Sequence, residues 1–162
     1  MMKPTFLRPD GKPLLVSVIS ERHAEACIGQ IRNSLYDGAD GFLLQLETLD
    51  PALLNVADLR HILDYAGDKP VLTTNYRRGT PRLFSDEELV EQHLVGLAAG
   101  VTMVDLMGDL YDPSPLELSH DARAIDQQRR TVDQIHARGG EVLMSSHTWV
   151  PMSCEQAVEH AQ

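Results

Sequence analysis

The sequence predicts an α/β fold in which five parallel β-strands alternate with α-helices. Short apolar runs with few charges recur along the chain, which is typical of strands that are buried on both faces. Each run precedes a segment whose apolar residues have helical spacing, and such units pack as a parallel sheet with right-handed crossovers. No linker or low-complexity tract interrupts the 162 residues. We therefore divide the chain into an amino-terminal tail, 1–12, and a single (βα)5 domain, 13–162.

The first two βα units follow this tail directly. Residues 14–19 form a β-rich run and are the first predicted strand. Ser20 is expected to cap the helix that follows, because a serine hydroxyl accepts a hydrogen bond from a free helix N–H. Residues 42–46 are the second predicted strand, and Asn55 is expected to cap the second helix in the same way.

Three further units complete the pattern. Their strands are predicted at residues 71–75, 101–106 and 141–146. Ser85 and Glu88 have the spacing of a capping box, in which each side chain bonds a free backbone N–H at the start of the third helix. A longer fourth helix ends before Gly139, and a fifth helix begins near Ser153.

The composition disfavours several classes of function. Lys and Arg number 14 against 24 Asp and Glu, which gives a net charge of −10. Such a chain is not expected to bind nucleic acid or an anionic membrane surface. No apolar run approaches the roughly 18 residues of a membrane span, and the amino terminus lacks a secretory signal, so we expect a cytoplasmic protein. In that compartment Cys27 and Cys154 are expected to be free thiols.

Two architectures have this order of elements: an open doubly wound sheet and an incomplete barrel. A complete (β/α)8 barrel typically needs about 250 residues, more than the 162 of this chain. Both architectures place ligand sites at the carboxyl ends of the strands. The sequence has no GxGxxG after the first strand, no P-loop and no HExxH. We therefore predict neither a cofactor nor a metal ion.

Polar side chains occupy the predicted strand ends. They are Ser17, Gln45, Glu47, Thr74, Asn75, Tyr76, Asp105, Ser146 and His147. His147 is the strongest catalytic candidate, since an imidazole there can move protons near neutral pH; the alternative is a histidine that hydrogen-bonds a neighbouring loop. Arg77 can bind a substrate carboxylate through a bidentate fork, or it belongs to a solvated basic loop. Ser17 can hydrogen-bond a ligand, or it is a small residue packed at a strand end.

The order and spacing of several segments resemble type I 3-dehydroquinate dehydratase, a (β/α)8 barrel of the shikimate pathway. The clearest segment is 140–147, GEVLMSSH, which resembles the family's fifth strand with its catalytic histidine. Residues 14–18, LLVSV, resemble the first strand, whose serine lies in the substrate site. Residues 38–40 and 69–72 are also similar to the family. The resemblance therefore favours a partial TIM-barrel-like fold, a parallel (βα)5 arc, over the doubly wound sheet.

The resemblance also implies roles for individual residues. His147 matches the catalytic histidine, while Ser17, Gln45, Tyr76 and Arg77 match or adjoin substrate-binding positions for a polyhydroxy carboxylate. The family carries Glu-x-Arg-x-Asp on its second strand, and the matching residues here are Leu43, Gln45 and Glu47. Tyr76 stands where the family has an arginine, and Arg77 follows it by one residue.

The family forms a Schiff base on a lysine of its sixth strand, and this chain ends before such a strand. Its lysines are Lys3, Lys12 and Lys69, none of which is at the carboxyl end of a predicted strand. We therefore expect a dehydratase-like lyase that is truncated or catalytically impaired; the alternative is a non-catalytic small-molecule-binding or assembly module. A five-stranded arc leaves two strand edges and one inner face uncovered, so we also expect a homo-oligomer.

Overall fold

The computed structural model describes residues 4–7, 11–77, 84–148 and 150–160. Its strands are β1 (Val16–Ile19), β2 (Gly41–Gln45), β3 (Val71–Thr74), β4 (Met103–Met107) and β5 (Glu141–Ser145). They pair in parallel in the order β1-β2-β3-β4-β5. This sequential order confirms the predicted partial barrel, because a doubly wound sheet reverses its strand order at a switch point. Among the described residues, the edge strands β1 and β5 do not pair with each other, and we call this open five-stranded sheet the arc.

Five α-helices follow the strands. They are α1 (Ala24–Tyr36), α2 (Val56–Leu63), α3 (Asp86–Ala99), α4 (Ala122–Ala137) and α5 (Cys154–His160). The predicted caps of α2 and α3 are confirmed: the Asn55 side chain accepts from two backbone N–H groups, and Ser85 and Glu88 form the capping box. The Ser20 cap is wrong, because α1 begins at Ala24 with His23 at its N-cap position.

The later start of α1 has a tertiary cause. The backbone N–H of Asp50 donates to the carbonyl of Arg22 at 2.9 Å, and the Thr48 hydroxyl lies 3.4 Å from the carbonyl of Glu21. These bonds hold residues 21–22 against the segment that follows β2, so the chain turns into the helix only after them. The capping pattern at Ser20 depends only on neighbouring residues, so it could not show these contacts with residues 48–50.

Helices α1 to α4 pack on one face of the sheet, which we call the outer face. Residues paired in register across parallel strands share a face, and Ile19, Leu44, Thr73 and Val104 form one such row. All four side chains are almost fully buried, and the Thr73 hydroxyl lies 2.9 Å from Nδ1 of His93 on α3. The main hydrophobic core therefore lies between the outer face and the helices.

The opposite, inner face carries a row that includes Val18, Leu43 and Leu72. Val18 and Leu143 on this face remain 48% and 42% exposed, so the arc leaves apolar surface uncovered. Part of the predicted tail crosses the amino-terminal end of the arc. There the backbone N–H of Phe6 donates to Glu141 on β5 at 3.1 Å, and its ring contacts Gly41 at the start of β2.

Two further sequence predictions concern membranes and thiols. Among the helices of the described segments, none combines the length and apolarity that crossing a bilayer requires. Cys27 is buried and Cys154 is exposed, and both are free cysteines as predicted.

Candidate functional site

A cavity of about 770 Å³ opens at the carboxyl ends of β3, β4 and β5. Its size lies within the range of small-molecule sites, roughly 300–1,000 Å³. The wall residues come from the ends of these strands and from the loop between β4 and α4. They are Tyr76, Arg77, Met107, Asp109, Pro113, Ser114, Pro115, Glu117, His147 and Val150. Tyr76, Arg77 and His147, which the sequence analysis predicted as site residues, thus share one cavity.

The loop of residues 108–121 forms one wall of the cavity, and its first residue must be glycine. A Cβ on Gly108 would lie 2.7 Å from the carbonyl oxygen of Glu117, a distance that real Cβ atoms essentially never show. The backbone N–H of Gly108 also donates to the carbonyl of Ser145 at 2.8 Å. The absence of a side chain therefore lets the loop fold back over the end of the sheet.

Side-chain hydrogen bonds hold this loop on both sides. Nε2 of Gln128 on α4 donates to the carbonyls of Gly108 and Leu110 at 3.1 and 2.8 Å. From the segment after β5, the Ser146 and Thr148 hydroxyls donate to other loop carbonyls, each at 3.1 Å. The backbone N–H of His147 donates to the Glu117 carboxylate. These bonds fix the cavity wall to α4 and to the end of β5.

Arg77 is held by two acidic residues of the protein itself. Its Nε and Nη2 donate to the two carboxylate oxygens of Asp86 at 2.6 and 2.9 Å, a bidentate pair. Its Nη1 donates to Oδ1 of Asp109 at 2.8 Å, and its Nη2 also donates to the Asp109 carbonyl at 2.8 Å. Four of the five guanidinium N–H groups thus have protein partners. We call Arg77, Asp86 and Asp109 the arginine clamp.

Tyr76 links the cavity to the inner face of the sheet. Its hydroxyl donates to Oδ2 of Asp105 at 2.5 Å, and its ring makes an edge contact with the His147 imidazole at a centroid distance of 4.8 Å. Asp105 is only 4% exposed. The His147 side chain is exposed and lines the cavity.

Burial shifts the pKa values of the groups beneath Tyr76. Desolvation raises the pKa of Asp105 above its ordinary value, although hydrogen bonds from Ser145 and Tyr76 oppose the shift. The pKa of Glu47 is also raised by desolvation, while its hydrogen bonds, including that from the Thr74 hydroxyl, oppose the shift. Desolvation and the bond to Asp105 raise the pKa of the Tyr76 phenol, so Tyr76 stays a hydrogen-bond donor at neutral pH. The inner face therefore carries acidic groups in an environment that disfavours their charged forms.

The remaining predicted site residues lie elsewhere. Gln45 pairs in register with Thr74 on the inner face, at the carboxyl end of β2. Ser17 faces the helices: its hydroxyl lies 2.7 Å from the Ser34 hydroxyl on α1, on the opposite side of the sheet from the cavity. The register of the short strand β1 turns Val16 and Val18 toward the inner face, so the Ser17 side chain lies among the helices.

The comparisons with known proteins identify the fold. No protein-family model matches the chain, and no curated protein matches its sequence. Solved structures do match it. Type I 3-dehydroquinate dehydratase from Clostridium difficile, solved with covalently modified comenic acid, superimposes with a TM-score of 0.62 at 17% identity over 84% of this chain. The fold is that of a partial type I 3-dehydroquinate dehydratase. At such low identity, the likeness shows the fold alone.

Two further structures carry the same name. 3-Dehydroquinate dehydratase from Enterococcus faecalis matches 91% of this chain with a TM-score of 0.65 and 17% identity. The enzyme from Geobacillus kaustophilus HTA426 matches 83% of it with a TM-score of 0.62 and 13% identity. This chain covers 49%, 51% and 59% of the Geobacillus, Clostridium and Enterococcus proteins. It thus spans about half the length of the enzymes whose fold it shares.

Sequence reasoning missed two residues that shape the site, Asp109 and Glu117. Both are buried acidic residues of the β4–α4 loop, at 2% and 7% exposure. The loop contains Pro113, Ser114 and Pro115, which indicated an irregular segment but not its direction. Nothing in the local pattern showed that the loop folds back over the strand ends and brings these carboxylates to the cavity.

Proposed function

We propose that the chain is a type I 3-dehydroquinate dehydratase-like protein, a lyase by descent, that turns over its substrate poorly and keeps a small-molecule site. His147 supports the proposal most directly, because it follows β5 and lies in the cavity against Tyr76. That position is the one that the sequence resemblance implies for the family's catalytic base. In this proposal His147 transfers the proton, with Tyr76 beside the substrate.

The placement of the lysines argues for weak catalysis. The family's reaction needs an amine that condenses with the substrate ketone and provides an electron sink for the carbanion. Lys12 precedes β1, and Lys69 lies two residues before β3, at the amino-terminal end of the sheet. Neither described lysine is at the carboxyl end of a strand, where His147 is. General acid–base catalysis alone supplies about 10²–10⁴-fold, well below the 10⁶-fold or more of most enzymes.

The arginine clamp favours a second candidate function, a non-catalytic small-molecule-binding module. The resemblance placed the carboxylate of a polyhydroxy substrate near Arg77, but this guanidinium already binds Asp86 and Asp109. A substrate carboxylate would have to compete with a bidentate internal pair. This competition lowers the expected affinity for an anionic substrate and leaves binding of other molecules unaffected.

Borohydride trapping with 3-dehydroquinate, followed by intact-mass measurement, tests the catalytic part of the proposal. We expect no covalent adduct and turnover far below that of a dehydratase measured in parallel. Any weak dehydration should disappear in His147→Gln, which keeps a polar side chain and removes the base. The matched control is His61→Gln on α2, outside the cavity, and it should leave the residual rate unchanged.

Two results would contradict this proposal. A trapped adduct on Lys69 would show that the amine acts from the other end of the sheet. Robust turnover that survives His147→Gln would show that His147 is not the proton-transfer group.

A further inference from the structure

Most of the described polar groups that line the cavity already have hydrogen-bond partners within the protein. Arg77 binds Asp109, which lines the cavity, and Asp86 on α3, which does not line it. The second carboxylate oxygen of Asp109 accepts from the backbone N–H of Ser114 at 2.8 Å. The Ser114 hydroxyl, in turn, donates to the carbonyl of Leu118 and accepts from its N–H, both at 3.0 Å. A ligand with many hydroxyl groups would find few free partners on these walls.

The charge of the described walls also disfavours an anion. Among the described lining residues, the carboxylates of Asp109 and Glu117 accompany the single guanidinium of Arg77, and Asp86 binds that guanidinium from outside the lining. Charges this close in a partly buried site interact more strongly than in bulk water. Among the described residues, a carboxylate entering the cavity would therefore lie nearer to negative groups than to a cation without an internal partner.

The rest of the lining is apolar or aromatic. Met107, Pro113, Pro115 and Val150 supply aliphatic surface, and Tyr76 and His147 add two rings in edge contact. Flat rings pack well against such surfaces, and an exposed imidazole can bond one polar substituent of the ligand. Apolar walls with one or two polar contacts are typical of sites for compact aromatic molecules.

We propose that this cavity binds an uncharged aromatic ring compound with a single hydrogen-bonding substituent, in preference to a polyhydroxy carboxylate. The inference rests on the proposed small-molecule site and names the chemical class of its ligand. The ring packs against Met107 and Val150, and the substituent bonds the imidazole of His147. The arginine clamp stays closed and takes no part in binding.

The test uses the full chain labelled with ¹³C at the methionine methyl groups, with Met107 as the reporter in the cavity wall. Met103, at the amino-terminal end of the same strand, serves as the internal control. The probes are 4-methylphenol and quinate, titrated over the same concentration range. We expect 4-methylphenol to shift the Met107 methyl signal and leave Met103 unchanged, whereas quinate shifts neither.

Matched valine variants check that binding occurs in the cavity. Val150→Asp puts a carboxylate on the apolar wall, and we expect it to weaken 4-methylphenol binding about fivefold or more. Val158 is 58% exposed on α5 and does not line the cavity. Val158→Asp adds the same charge and should leave the affinity unchanged. Val150 is 41% exposed and Val158 is 58% exposed, so neither change puts a charge into the buried core.

Each outcome decides a different point. A Met107 shift with quinate but not with 4-methylphenol would overturn the ligand class and leave the small-molecule site in place. No Met107 shift with either probe would overturn the site itself, and with it the proposed binding function. Equal weakening by both valine variants would show that the phenol binds outside the cavity, which also overturns the inference.

Discussion

The buried imidazole of His93 should make the stability of this protein depend on pH. His93 lies on α3 and is 2% exposed, with its Nδ1 2.9 Å from the Thr73 hydroxyl. Burial lowers its pKa from 6.5 to about 4, because the charged form loses its hydration in the core. The folded protein therefore holds His93 neutral in a pH range where the unfolded chain binds a proton.

The sign and size of the effect follow from linkage. Between the folded pKa of about 4 and the unfolded value of 6.5, the unfolded state binds more protons, so the free energy of unfolding decreases as the pH falls. Each pKa unit corresponds to about 1.4 kcal/mol. Integration from pH 7.5 to pH 4.5 gives a loss of about 2.5 kcal/mol from this one group. The raised carboxyl pKa values of Glu47 and Asp105 act in the opposite direction, since those groups bind protons more readily when folded.

Urea unfolding of the wild type and of His93→Gln at both pH values isolates this contribution. Glu47 and Asp105 titrate in both proteins, so their effects cancel in the comparison. The loss of packing in His93→Gln lowers its free energy of unfolding by a nearly constant amount. The test therefore uses only the change with pH in the stability difference between the two proteins. We expect the stability advantage of the wild type over His93→Gln to shrink by about 2.5 kcal/mol between pH 7.5 and pH 4.5. Parallel pH profiles, within about 0.5 kcal/mol, would refute the reasoning.

Three other predictions concern the loop, the clamp and association. Gly108→Ala should destabilise the protein by about 1–3 kcal/mol in urea unfolding, because the new Cβ meets the Glu117 carbonyl. The control is Gly29→Ala, whose Cβ meets nothing within 4 Å and which should stabilise α1 by up to about 1 kcal/mol. Equal effects of the two changes would contradict the close approach of Gly108 to Glu117. Arg77→Lys should cost about 1–3 kcal/mol, because an ammonium cannot reproduce the bidentate bond to Asp86; unchanged stability would exclude the clamp. We propose that copies associate through the uncovered inner face, and light scattering that shows a stable monomer at micromolar concentration would contradict this.

The sequence predicted the strand order and the caps of α2 and α3 because their signals are local. The apolar runs mark the strands, and Asn55 and Ser85 bond backbone groups within three residues. The direction in which Ser17 points could not be predicted in the same way. β1 has four residues, VSVI, with no polar alternation, and a shift of one residue in register exchanges its faces. Only pairing with β2, and the contact with Ser34, decide that Ser17 faces α1.

The same contrast between local signals and distant contacts applies to the candidate site. Position in the chain was enough to bring Tyr76, Arg77 and His147 to one cavity, because the carboxyl ends of parallel strands lie at one edge of the sheet. The partners of Arg77 were not predictable, since Asp109 lies 32 residues further along the chain in an irregular loop. An arginine beside a pocket has the same sequence signature whether it binds a ligand or two internal carboxylates.

Under the proposed function, Tyr76 and Arg77 account for a chain that has the dehydratase fold but a different substrate chemistry. Tyr76 occupies the position where the resemblance implies an arginine, and its hydroxyl is committed to Asp105, whose charged form is disfavoured by burial. Arg77 comes one residue later and is directed instead to Asp86 and Asp109. The positive charge thus lies at position 77, where it bonds the β4–α4 loop to α3, and not at position 76, where the resemblance implies an arginine that binds an anion. The guanidinium of Arg77 is thus used for structure, and in the proposed function the imidazole of His147 is the group that meets a ligand.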